Sequence, residues 1–592
     1  MAENSSDAET KKKRRLNITR NNGSSANTYR LDNGIDRFKA IDFNSLGTSL
    51  TYFFSFFIFL TVAAATLYYV AAGSKNEFHS DCTDTLMWAN ASYESGSVYD
   101  PNFRYACFLP FGVNLIMQPL IHLFGISLTT HLIGMAAFFI IITAFMFLMQ
   151  VSVGMGLRSA ALGTSVFLAV TLSSKKLREI FWGHTIYYTL GILFLLIGIT
   201  LYFNLIKTCR QANRKSLQDR ESVGTVIHIT LLICGLALFI MFAATDGISA
   251  ISIFTLPFMA AIAAEFFTDI RNRLTGKRAF RTVTVLISIG IMTMLGIILN
   301  QQWVGDLTAG YQDANSMYSS MDTWPEHVRK LPMAWLSLLG AESMEGQKLM
   351  EGSGLNNLFY IINALLLAVI PVIATCFYTK YQRNRFGKAI RYWIWIHWAV
   401  TSIVLLGYIC GVLSVAEWRL TPVFGTALIL SILFIRWALL QNKTISRIAV
   451  ILALPAVIVS CMNTMNTVHM PSDPHENNDL FGLTDLLEDM ELCNGYATFW
   501  QTNAVTVISG NKVKVREIVL KDNVIAKRHY QSSKQWFKDM EGKEKYFLLL
   551  TEYEYRQLKD KGADVIKEAD KDLETEVNEH IYHILVFDHN IV

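Results

Sequence analysis

About eleven apolar runs, near 49–72, 127–150, 157–173, 185–206, 225–244, 247–266, 282–299, 357–379, 392–413, 421–440 and 447–463, constrain this chain more than anything else in it. Each approaches the roughly 20 residues that cross a hydrocarbon core of about 30 Å. No water is available there to pair backbone N–H and C=O groups, so such a run must be a helix that satisfies them internally. Composition supports the same class: of 592 residues, 52% are hydrophobic and 17% charged, more apolar than soluble domains usually are. The expectation is a polytopic α-helical membrane protein in contact with the lipid bilayer and with no nucleic-acid partner.

The placement of Lys and Arg predicts its orientation. Residues 1–47 are polar, carry Lys11, Lys12, Lys13, Arg14 and Arg15, and hold no apolar core like that of a cleavable signal peptide, so they read as a disordered cytoplasmic tail. Every second joint between spans is then basic: Arg158; Lys207, Arg210, Arg214 and Lys215; Arg271, Arg273, Lys277, Arg278 and Arg281; Lys380, Arg383, Arg385, Lys388 and Arg391; Lys443 and Arg447. An excess of positive charge marks cytoplasmic loops, which places the N-terminus inside a cell (plasma) membrane crossed many times. Residues 48–463 form the transmembrane domain. Everything after about 464 lies on the other side, where the linker HMPSDPHENND leads into alternating runs such as KVKVREIVL and HIYHILVF. Residues 464–592 are therefore expected to be a small extracytoplasmic α+β domain.

The stretch from His79 to Gly125 follows the first span and concentrates polar chemistry at the membrane surface. It holds Asp81 and Asp84, then Arg104 and Tyr105, then Pro110 and Pro119. An acid facing lipid is costly, so these acids are expected to face water or a polar cavity. As a helix cap, Asp84 would instead be structural, since Asp is a preferred N-cap. One outer joint breaks the charge rule: SSKKLREIFWGH puts Lys175, Lys176, Arg178 and His184 outside. Those cations either snorkel to headgroups or dock a phosphate. Asp246, in a further outer joint, either lines a cavity or caps a turn, and the loop 300–356 is long enough to be functional. Cys82 and Cys107 either form a disulfide or stay reduced in the packing. No metal-ligand spacing and no phosphate-binding glycine loop occurs, so neither a metal nor another cofactor is expected.

A first span followed by an outer loop with an early acid, a short helix ending near Gly96, and a Pro-Leu run ending Leu-Phe-Gly at Pro119–Gly125 resembles the GT-C superfamily of membrane glycosyltransferases. Its members include protein O-mannosyltransferases and the aminoarabinose transferases of lipid A. The tail, with Gly495-Tyr496-Ala497-Thr498-Phe499-Trp500 and Asn503, is similar to the tail domain of bacterial, mostly Gram-positive, GT-C-like proteins. The family often has an Asp-Glu pair where Asp84 is followed by Thr85, which leaves the catalytic place open between Asp84 and Asp81. Phe108-Leu109-Pro110 stands where the family often has Tyr-Pro-Pro.

The resemblance implies a GT-C-like fold and metal-independent, inverting transfer of a sugar from a polyprenyl-phosphate donor to an extracytoplasmic acceptor, a cell-envelope glycan, lipid or protein. Such a reaction needs a base on the acceptor, a role worth about 10² to 10⁴ in rate, for which Asp84 and then Asp81 are the candidates. It also needs cations for the leaving phosphate. Arg104, Lys175, Lys176, Arg178 and His184 are candidates there, with Tyr105 and Asp246 as acceptor or cavity residues. Two other classes fit many spans: a lipid or polysaccharide flippase, and a scaffold that presents the tail. A flippase usually has its site near the midplane in repeated halves, and no repeat is seen.

Overall fold

The computed structural model describes residues 43–105, 110–184, 187–216, 223–269, 276–304, 307, 317–343, 345–346, 348–382, 384–412 and 415–592. The helices, in order, are α1 (Phe43–Ala71), α2 (Asp84–Ser95), α3 (Pro110–Phe124), α4 (Leu128–Val153), α5 (Leu157–Val170), α6 (Lys175–Arg178), α7 (Tyr187–Ser216), α8 (Val223–Ala244), α9 (Ile248–Thr268), α10 (Gly276–Val304), α11 (Trp324–Leu338), α12 (Gly352–Cys376), α13 (Arg385–Cys410), α14 (Thr421–Leu439) and α15 (Lys443–Val468). Among the described residues, 10 stretches are long and apolar enough to cross a membrane, each over one of the expected runs.

The expected run at 157–173 is different. There α5 stops after 14 residues and the chain bends by 118° into Lys175–Gly183, so the count reaches 11 only if the bent pair is one span. Ser174 makes the break. Its Oγ accepts from the Leu177 backbone N–H at 3.0 Å, as an N-cap does, and donates to the Leu338 carbonyl at 2.7 Å. The chain then widens into a π turn over Glu179–Gly183, a distortion that often accompanies function.

Small residues let the helices approach closely, as membrane bundles require. A Cβ added to Gly191 or Gly198 of α7 would lie 2.8 Å from Ile253 or 2.4 Å from Phe254 of α9. At the bundle end remote from the tail domain, Arg391 forks onto Glu265, with Nη2–Oε1 at 2.7 Å and Nε–Oε2 at 3.0 Å, and so clamps α13 to α9. A pair that well matched is how ionisable groups survive there. The loop 300–356, which has no span of its own, contains α11, started by Pro325 in its first turn.

After α15 come α16 (Asp479–Asp489), β2 (Asn494–Ala497), α17 (Phe499–Ile508), β3 (Lys514–Lys521), β4 (Val524–Lys527), β5 (Ser532–Ser533), β6 (Tyr546–Thr551), β7 (Lys571–Val577) and β8 (His580–Phe587), with β1 (Phe103–Arg104) far upstream. Six of these strands form a mixed sheet in the order β4-β3-β2-β6-β8-β7. β2 runs parallel to β3 and β6, and the other pairs are antiparallel. A parallel pair needs a crossover, which α17 supplies between β2 and β3. The architecture is the predicted helical bundle with a small domain of helices and strands at the C-terminal end.

β5 leaves this sheet and pairs antiparallel with β1, Phe103 opposite Ser533 and Arg104 opposite Ser532. The loop after α1 is thereby stitched to the tail. Ser533 Oγ donates to Asp100 at 2.6 Å, Trp536 Nε1 to Glu94 at 2.6 Å, and Ser80 Oγ to the Trp500 carbonyl at 3.0 Å. Asn478 adds two bonds at 2.9 Å from its amide to the carbonyls of Lys75 and Phe78.

Candidate active site

A cavity of about 890 Å³ opens where the turn after α5 and helices α6, α11, α12 and α15 converge. Its walls carry Lys175, Lys176, Arg178 and Glu179 from the bent segment, Ser337 from α11, Asn356, Asn357 and Tyr360 from α12, Asn463 and Asn466 from α15, and the acids Glu342 and Glu417. The bend explains why three cations of one short stretch share a wall: it turns the segment across the bundle end instead of letting it run on as a loop.

The three cations are not equivalent. Arg178 grips Glu77, donating from Nε to Oε2 at 3.1 Å and from Nη2 to Oε1, and reaches the Leu172 carbonyl at 3.2 Å. Lys176 holds Glu179 at 2.5 Å and lies 5.1 Å over the Trp418 ring. Lys175 is exposed and makes no ion pair among the described residues. It is the cation left with charge to offer a ligand.

Glu179 and Glu77 were not singled out from the sequence. Glu179, buried at the start of the π turn, takes His184 Nε2 at 3.0 Å and His79 Nε2 at 3.6 Å besides Lys176. His184 is buried and faces Glu179. The only sequence signal for Glu179 was a charge of opposite sign beside KKLR, which surface helices show as readily, and Glu77 lies 101 residues before its partner Arg178. Burial opposes a charge on His79, yet Cys82 and Glu179 beside it outweigh that and hold the imidazolium above the usual histidine range.

Asp84 is the first residue of α2, and the cap position belongs to Thr83, so Asp84 is not the N-cap. It is only 5% exposed, and its Oδ1 is buried without a hydrogen bond among the described residues. Burial first, then the neighbouring Asp81, hold its carboxyl well above the ordinary range, and Glu517 of β3 adds to this while His79 and Gln531 oppose it. Glu517 is itself 1% exposed. Burial pushes it up to about 8 although Arg528 pairs with it at 2.7 Å. Asp81 is half-buried in the 3-10 turn Ser80–Thr83. Neither loop acid lines the 890 Å³ cavity; His79 stands between them and Glu179.

Three further candidates lie elsewhere. Arg104 is drawn into the β1–β5 pairing and does not line the cavity. Tyr105 is buried in an aromatic cluster, 4.5 Å from Phe103 and 6.2 Å from Trp88 between centroids, with its OH accepting from the Asp100 N–H at 3.1 Å. Packing therefore removes it from the cavity. Asp246 is buried at the turn between α8 and α9, outside the cavity wall. Cys107 lies outside the described residues, and with it the pairing with Cys82.

No family model and no curated protein matches the sequence. Three solved structures similar to the chain are of an oligosaccharyltransferase from Archaeoglobus fulgidus. For the apo form the TM-score is 0.42 at 11% identity, over 78% of this chain and 64% of that one. For the archaeal oligosaccharyltransferase AglB in complex with an inhibitory peptide and a dolichol-phosphate it is 0.43 at 9%, over 84% and 69%. For the form tethered to an acceptor peptide containing the NVT sequon it is 0.39 at 11%, over 82% and 64%. The chain thus spans less than two thirds of the length of the apo oligosaccharyltransferase to which it is similar.

Proposed function

We propose that this protein is a membrane glycosyltransferase that moves a sugar from a polyprenyl-phosphate donor to an extracytoplasmic acceptor, a cell-envelope glycan, lipid or protein. The observation that carries this reading is the polar cavity at the end of an apolar bundle, with Lys175 uncompensated among amides, hydroxyls and carboxylates. Lys175 would meet the phosphate, where a cation placed at developing negative charge lowers the barrier. Lys176 and Arg178, locked by Glu179 and Glu77, form a fixed positive wall behind it. Asn356, Asn466, Glu342 and Glu417 offer partners to sugar hydroxyls. In the reaction the acceptor oxygen bonds to the anomeric carbon, the phosphate leaves with the electron pair of the broken C–O bond, and the acceptor proton passes to a carboxylate; for the Asp81–Asp84 pair, which lies outside the cavity wall, to take it, the acceptor must enter from the loop 1 side, past His79.

The test is release of polyprenyl phosphate from a polyprenyl-phosphate sugar by the protein in bilayers, with an acceptor mixture from envelope extract. Lys175→Ala should raise the donor KM about tenfold with kcat kept, the loss of one charge-assisted contact. Asp84→Asn should lower kcat by about 10² or more while the donor still binds, and Asp81→Asn shows whether the other acid shares the role. Lipid moved across the bilayer with its sugar intact would make the protein a flippase. Parent rates in both Asn variants would remove the acids from the chemistry.

A further inference from the structure

The tail motif Thr498-Phe499-Trp500 opens α17 and has no part in the transfer derived above. It lies beside loop 1. Ser80 Oγ holds the Trp500 carbonyl at 3.0 Å, and the indole, 56% exposed, stands 5.7 Å from the His79 ring between centroids. The rings continue outward from there. Phe499 lies 5.2 Å from Trp500 and Tyr530 5.6 Å from Phe499, each at a steep angle to the one before. Arg528 lies 4.7 Å over Tyr530 while it pairs with Glu517. His79, Phe499 and Tyr530 are half-buried, so the run of rings reaches the surface along its length. Aromatic surface left uncovered marks a place where something binds.

Beyond Arg528 the same face turns basic. Phe537 takes Lys527 Nζ at 5.8 Å and the His529 ring at 5.0 Å. Lys534 opens the short helix Lys534–Lys538 one turn before Phe537, and its N–H donates to the Asn102 carbonyl at 3.0 Å. Arg104 comes from loop 1, opposite Ser532 in the β1–β5 pairing. Lys527 and Lys534 are exposed, and neither they nor Arg104 make an ion pair among the described residues. Of the acids nearby, Asp100 and Glu517 are buried. Glu94 accepts from Trp536, on whose ring Arg516 lies at 5.2 Å, and Asp539 accepts from Gln535.

We propose that this seam between loop 1 and the tail is the docking surface of an anionic envelope glycan, whose sugar rings lie on Trp500 and its aromatic neighbours while its phosphate or carboxylate groups meet Lys527, Lys534 and Arg104. A sugar ring presents a flat C–H face to an indole, and cations placed further along one line answer the charges of a polymer. Every sugar also carries hydroxyls, so whichever unit reaches His79 offers a nucleophile to the loop 1 acids. The glycan's role as acceptor rests on the proposed transfer; its binding does not.

Binding is therefore read without donor, on the full-length protein in bilayers of neutral lipid, as the anisotropy of fluorescent carboxymethyl dextran. Uncharged dextran of the same length lacks the charge and polyglutamate lacks the rings, so both should bind at least tenfold more weakly. Trp500→Ala should raise the Kd for carboxymethyl dextran about tenfold. Lys527→Gln with Lys534→Gln should raise it by a similar factor at low salt, and the two proteins should converge at high salt. Both variants alter exposed side chains, which contribute little to folding. Equal Kd values in the parent and both variants overturn the proposal. Polyglutamate bound as tightly as carboxymethyl dextran assigns the face to an acidic peptide, and brominated lipid that quenches the emission lost in Trp500→Ala assigns it to the membrane; either result overturns it too. If binding follows expectation while no sugar is transferred, the transferase reading fails and the docking surface stands.

Discussion

At the scale of single residues, compensation decides what each charge can do. Arg178 and Lys176 are spent on Glu77 and Glu179, whereas the adjacent Lys175 is exposed and makes no ion pair among the described residues. The acids divide likewise: Asp84 of loop 1 and Glu517 of β3 are both buried, and Asp81 is half-exposed. A measurable consequence concerns Glu517. Its carboxyl is raised by burial to about 8 in the folded protein against about 4.3 in an unfolded chain. The folded state therefore binds the extra proton, so stability is greatest below the unfolded value and falls as pH rises from there through about 8. Thermal unfolding of the protein in detergent should show that decline. Glu517→Gln should flatten it across this window, leaving the part due to Asp84; a parental slope in the variant would mean that Glu517 is solvated.

At the scale of elements, the bend between α5 and α6 builds the cavity, and one side chain from another helix holds it. Asn463 of α15 is buried and donates to the Ala169 carbonyl at 2.8 Å and to Ser173 Oγ at 2.9 Å, while its oxygen accepts from Tyr360 of α12 at 2.7 Å. Three helices meet on that amide. Asn463→Leu keeps the bulk but strands the Tyr360 hydroxyl and the Ala169 carbonyl, which should cost about 1 to 3 kcal/mol. The expected result is a lower Tm together with a raised donor KM, because Lys175 loses its fixed place. A normal Tm and KM would show that Ser174 alone sets the bend.

At the scale of the whole molecule, the tail is a structural partner of loop 1, joined through β1–β5, Asn478, Trp500 and Trp536. Whatever side of the membrane holds one must hold the other. The alternation of basic joints predicts that this side is extracytoplasmic. Cys493 is exposed on the tail and offers a native probe. An impermeant thiol reagent should label it in intact cells, labelling should drop in Cys493→Ser, and Ser6→Cys in that background should react only after permeabilisation. Labelling of Ser6→Cys without permeabilisation would invert the topology.

The hydrophobic runs by themselves determined the helices, since a stretch of that length and apolarity has no other way to satisfy its backbone in hydrocarbon. The turn residues and alternation after the linker likewise announced strands. The sequence also brought forward Lys175 and the loop acids, because charge beside a membrane span stands out against its surroundings. Whether a charge was already neutralised, and by whom, was decided only in three dimensions. Glu77 lies 101 residues before Arg178, and Ser533, which donates to the Asp100 carboxylate, lies 433 residues after it. Local patterning reports what one segment prefers, up to a turn or two of helix. The bend that halted the run at 157–173 needed Leu338 and Asn463 from remote helices, and loop 1 needed the tail strand β5 to pair with β1. Pairings of that separation leave no periodic trace, so packing alone selected them.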